Sequence, residues 1–222
     1  MQPEPGARGA APDGVVAGWL FLASALVTLV AVAHHPTLHV HRAAQVPGEI
    51  ARLTSLDEVV HGTLIAVTFA LMYAATVFAL RRGLSDQTVL GGLVAYAAGS
   101  SGITTAALID GFAVPSVAGI YASTPDAALG ALRVCGAAIQ IATAFGFAAL
   151  SIAIVLWATG LLRTPTVAAR ATGAIGVLAA VLPAVVYLAT GATFRASTLP
   201  WLVLPEAVWY VALGLLLIRR LT

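Results

Sequence analysis

Five histidines occur in the chain, and four of them, His34, His35, His39 and His41, crowd together where a long apolar run ends. The fifth, His61, stands four residues after Asp57 and three after Glu58. Spacings of three and four share one helical face, so an imidazole and two carboxylates can address one site. Imidazole nitrogen with carboxylate oxygen is a donor set for zinc or copper. Glu-x-x-His is also the pairing of di-metal helical bundles, but those use two such pairs and this sequence has one. Asp110 follows the apolar Ala106-Ala107-Leu108-Ile109 and precedes Gly111-Phe112-Ala113-Val114-Pro115. That places it near an expected helix C-terminus, where a negative charge opposes the dipole and no capping role explains it. A carboxylate there needs a partner; Arg133 is the first choice and a histidine the second. The candidate metal ligands are His34, His35, His61, Asp57, Glu58 and Asp110.

His34 and His35 point about 100° apart on a helix, so both cannot face one small site unless the helix ends there. Pro36 predicts that ending and turns one of the two inward towards His61. His39 and His41 alternate and belong mainly to the outer loop. Two other readings use the same residues. Histidines and acids can form a polar collar that only holds helix ends together, in a non-enzymatic membrane subunit or scaffold. Histidines of the first and second spans can also supply the axial ligands of a b-type haem.

Composition defines the elements that must position these groups. Of 222 residues, 60% are hydrophobic and 9% charged, far from the roughly one quarter charged of a soluble domain. Six apolar runs are long enough to cross a bilayer: Val15 to Ala33, Val59 to Leu80, Val89 to Ile109, Leu132 to Leu162, Ala168 to Thr190 and Trp201 to Ile218. The predicted architecture is an all-α polytopic bundle of six transmembrane helices, residues 15–222, behind a short polar tail, residues 1–14. Ala31-Val32-Ala33 has the form of a signal-peptidase site, but the preceding apolar run is longer than a signal core and its flank is not basic, so a retained span is expected.

The positive charge comes from eleven arginines and no lysine, and no basic cluster suits nucleic acid. Six spans place Arg8, Arg81, Arg82, Arg163, Arg170, Arg219 and Arg220 on the side of the termini and Arg42, Arg52, Arg133 and Arg195 on the other. Seven against four favours cytoplasmic termini, which turns the longer loops and the histidines outward. The partners that follow are the lipid bilayer and a membrane-protein partner or second copy. Cys135 lies in an apolar run and reads as a packing residue.

Helix boundaries carry their own signals. Ser55-Leu56-Asp57-Glu58 reads as a capping box opening the second span. Thr124-Pro125-Asp126 opens the fourth, whose apolar pattern continues from Ala127 to Leu162, about 54 Å of helix. Such a helix must tilt, project or break, and the face carrying Arg133 and Gln140 should look into the bundle. Pro205-Glu206 can start the last helix, or Pro200 can, leaving Pro205 inside. The third run sets Gly91, Gly92, Gly99 and Gly102 among serines and threonines, a surface for close helix packing. Phosphate-loop, zinc-protease and nucleophile-elbow motifs are absent from the sequence.

His34-His35-Pro36-Thr37 after a first span, Val60-His61-Gly62 in the second and Asp110 to Pro115 after the third resemble a group of bacterial six-span inner-membrane proteins with no assigned activity. The resemblance covers most of the chain through short motifs. It implies a bacterial inner-membrane setting and brings no reaction with it. The topology is checked by labelling intact cells with an impermeant thiol reagent. Thr124→Cys should react and Ser85→Cys should be protected; the reverse pattern would invert the orientation.

Overall fold

The computed structural model describes residues 14–36, 43–121, 123–189, 194 and 198–219. The described residues form helices joined by short turns: α1 (Gly14–Ala33), a 3-10 turn (Ala43–Gln45), α2 (Val46–Arg82), α3 (Gln87–Leu108), a π-helical turn (Ile109–Ala113), α4 (Val114–Ile120), α5 (Pro125–Leu162), α6 (Val167–Ala189) and α7 (Leu199–Ile218). Six of these stretches are long and apolar enough to span a membrane, with α3, the π turn and α4 running as one. Trp19, Leu26, Phe69 and Leu188 turn outward, each at least 60% exposed, as side chains facing lipid do.

The helices close a ring in the order α1, α2, α3, α5, α6, α7, with α7 returning to α1. Small residues permit the closure. A Cβ on Gly18 of α1 would sit 2.6 Å from the Gly214 carbonyl of α7, and one on Gly214 2.7 Å from the Gly18 carbonyl. Lipid tails are as apolar as leucine, so such backbone proximity and van der Waals contact must hold the helices together. The glycine-rich face of α3 packs on α5 in the same way: Gly99 and Gly102 lie against the backbone of Gly146. Ser101 and Thr105 on that helix donate to carbonyls of their own preceding turn.

Several boundaries differ from the sequence reading. Helix α2 begins at Val46, so Ser55 to Glu58 lie inside it and form no capping box. Val46 and Ile50 are buried against Ala118 of α4, and this packing keeps the earlier residues helical. Helix α5 is unbroken over 38 residues, about 57 Å, and projects with the start of α2 beyond the end of α1. Thr124 precedes it, but the Thr124 hydroxyl donates to the Tyr121 carbonyl and does not cap. Pro200 lies in the first turn of α7 and Pro205 inside it, so Glu206 is an interior residue with no capping role. Gln140 faces inward as expected: its amide donates to the Phe194 carbonyl and accepts from the Phe194 N–H, both at 2.8 Å.

Ring closure at Gly18 gives a test by size. Gly18→Val should destabilise the protein by about 1–3 kcal/mol, because the strain falls on the backbone of α7. Gly130→Ala on α5, with open space around its Cβ, should leave stability unchanged or slightly higher. Thermal unfolding in detergent measures both.

Candidate metal centre

Asp110 owes its place to a local irregularity. Pro115 cannot donate an N–H, and its ring clashes with the carbonyl four residues back. The chain widens just before it, over Ile109–Ala113, and the Val114 N–H reaches five residues back to the Ile109 carbonyl. The helix therefore continues through Asp110, which is not at the free C-terminus that the sequence suggested. The wide turn presses on α2 at Gly111, where any Cβ would collide with the Cβ and ring of His61. Asp110 is thereby delivered beside that imidazole.

His61 lies about four turns into α2 and is 3% exposed. Its Nδ1 is 2.9 Å from the Asp57 carboxylate Oδ1 and 2.9 Å from the Asp57 backbone carbonyl. Both atoms are acceptors, so Nδ1 carries the proton. Nε2 is 3.3 Å from Asp110 Oδ2. His35 follows the closing turn of α1, where the His34 and His35 amides still donate to Val30, Ala31 and Val32 carbonyls. Its Nδ1 is 2.9 Å from the Pro36 carbonyl oxygen, again an acceptor, and its Nε2 is 3.7 Å from the same Asp110 Oδ2. Burial first, and then the nearby His61, hold the His35 imidazole below the ordinary histidine value, against the pull of Asp110. His35 is thus neutral at neutral pH.

Three potential ligand atoms, one from each of His35, His61 and Asp110, lie within 4.8 Å of one another, and the group can hold a metal ion. Corners of a tetrahedron with zinc-like bonds of 2.0–2.1 Å are roughly 3.3 Å apart. The two contacts to Asp110, at 3.3 and 3.7 Å, are near that value, and the third edge, between the two ring nitrogens, lies within 4.8 Å. In both histidines the second nitrogen is tied to a protein acceptor, which fixes the tautomer and aims the free nitrogen. The rings meet edge to face with centroids 4.9 Å apart, which leaves no slot for a porphyrin plane between them.

The other sequence candidates stand elsewhere. His34 is exposed, with Nδ1 at 2.9 Å from the Val30 carbonyl, because it sits one residue round the helix end from His35. Asp57 lies behind His61 as its hydrogen-bond partner, and Glu58, one position further round α2, is exposed. Arg133 is exposed on α5, and the described ion pairs of Asp110 run to the two histidines. His39, His41 and Arg195 fall outside the described residues.

A cavity of about 230 Å3 extends from the cluster into the bundle, bounded at depth by Tyr96, Glu206 and Tyr210. The sequence reading missed this end of the site. An acid inside the apolar run from Trp201 to Ile218 was the available signal, and the preceding proline masked it by offering a helix start. No family model matches the chain, and neither a curated protein nor a solved structure matches it, so its chemistry is argued from its own geometry.

Proposed function

We propose that this is a multi-pass protein of the bacterial inner membrane, with cytoplasmic termini, that binds a zinc or copper ion at an outward centre of His35, His61 and Asp110. One observation carries the reading. Both Nδ1 atoms donate to fixed acceptors, so both Nε2 atoms, the positions left to take a cation or a proton, converge on a single carboxylate oxygen. Lone pairs gathered in this way repel unless a metal ion or a proton lies between them. Charge points the same way: a divalent ion with two neutral imidazoles balances Asp57 and Asp110, whereas one imidazolium leaves a surplus negative charge in a partly buried site. Three protein ligands also leave a coordination position open for water or substrate, as in sites where the metal does chemistry and is not merely structural. The competing scaffold reading makes His61 an imidazolium shared by two carboxylates, and metal content separates the two.

Protein purified without a polyhistidine tag, loaded with zinc or copper and desalted, should retain about one ion per chain. His61→Ala and His35→Ala should abolish retention, and His34→Ala should leave it intact. A wild-type chain that retains none overturns the metal reading. Two histidines and one carboxylate also suit iron(II), so the elemental analysis should include it.

Asp57→Asn should weaken metal binding by about 10- to 100-fold without removing a ligand, since it acts through the orientation of His61. Affinity should fall on acidification by about tenfold per pH unit once one proton competes for each ion bound. Because His35 is held neutral, that proton belongs to His61. A titration of zinc affinity between pH 8 and pH 5.5 measures the slope, and His35 adds a second proton only at the acidic end.

A further inference from the structure

The cavity reaches well below the metal centre. Its wall runs from Ala25 on α1 to His35 just past that helix's end, and from His61 to Leu71 on α2, the latter ten residues of helix and about 15 Å. At its deep end the Tyr96 hydroxyl donates to the Tyr210 hydroxyl at 3.1 Å, and both side chains are buried. Glu206, one turn before Tyr210 on the same face of α7, is 6% exposed, and its Oε1 has no hydrogen-bond partner among the described residues. Among the described residues no arginine lines the cavity, and the chain has no lysine. Its ionisable groups are two carboxyls, two imidazoles at the mouth and the two phenols.

We propose that this cavity binds a lipophilic organic cation, an amine on an apolar body, whose ammonium group is held by the Glu206 carboxylate and the Tyr210 hydroxyl oxygen. A carboxylate in an apolar interior needs a positive partner, and the described residues of the wall supply none at this depth. Tyr96 and Tyr210 line this end of the cavity, and aromatic rings attract cations. The remaining wall is mostly aliphatic, with Phe147 and Phe194 among it, and accepts the apolar body. A ring on a short alkyl chain matches the length and volume available. This site is separate from the metal ligands and does not depend on metal binding.

The test uses the full-length protein in detergent after chelator treatment, so that a failed metal centre cannot decide the outcome. Thermal stabilisation is measured with 4-phenylbutylamine and with its uncharged counterpart 4-phenylbutanol. The amine should bind at least about tenfold more tightly than the alcohol. Glu206→Gln should remove that preference and leave alcohol binding within about threefold of wild type, while Tyr210→Phe should weaken the amine by a smaller factor. An alcohol that stabilises the wild type as well as the amine does would make this a site for neutral lipophiles and overturn the proposal. Equal amine binding by wild type and Glu206→Gln would overturn it too. If Glu206→Gln does not fold, the wild-type comparison of amine with alcohol decides alone.

Discussion

The contact between the Gly111 backbone and the Cβ of His61 sets the geometry on which the site depends. It brings the wide turn of one spanning segment to backbone distance from the next, and no other residue type at 111 allows that approach. Three separate causes then meet there. Pro115 forces the widened turn that carries Asp110. Helical spacing puts Asp57 one turn from His61, so its carboxylate fixes the ring from behind. Pro36 follows the end of α1, and its carbonyl takes the His35 proton and leaves the other nitrogen facing Asp110.

Charge is distributed to match. Arg82 is spent at the end of the bundle that holds the termini, donating to the Gly160 carbonyl and the Thr164 hydroxyl. Arg52, at the opposite end, pairs with Glu49 on the exposed start of α2. Between these ends the interior holds Asp57, Asp110 and Glu206 against two imidazoles, one of them held neutral by burial. A low-dielectric interior does not tolerate unmatched carboxylates, so the positive charge must be a proton or something the cavity admits. The proposed metal centre and the proposed deeper cation site both answer this one imbalance.

Much of this was legible in the sequence. Six apolar runs, the inward turn of one of His34 and His35, and the small-residue face of α3 all follow from composition and local spacing. The candidate ligands His35, His61 and Asp110 were named from residue type and depth, because ionisable groups near hydrocarbon are few. The partner of Asp110 was not legible. Arg133 is the stronger base on paper, but its exposure on α5 depends on where that long helix leans, a tertiary property. The capping box at Ser55 failed for a related reason: a local signal was overridden by burial of Val46 and Ile50 against α4, a segment some seventy residues away. Glu206 was left with two placements because two prolines offered alternative helix starts, and only packing chose between them.

Below the cavity the bundle is closed by stacked rings. Phe21 lies 5.6 Å from Tyr210, Tyr96 5.4 Å from Trp157, and Trp157 6.2 Å from Trp209, measured between centroids. Phe78 meets Trp157 edge to face at 5.4 Å, and the Trp157 N–H is anchored on the Val89 carbonyl at 3.1 Å. These rings come from α1, α2, α3, α5 and α7, five of the six walls, and three of the four contacts share Trp157 of α5. A conduit would have to break several aromatic contacts, each worth about 0.5–1.5 kcal/mol beyond burial, together with the glycine contact that seals α1 to α7. A binding or reaction centre needs none of this, because what enters past His35 and Asp110 can leave the same way. The stacked floor and the positioned mouth therefore suit the proposed reading, a protein that holds its ligand at one end of the bundle, better than one that passes it through.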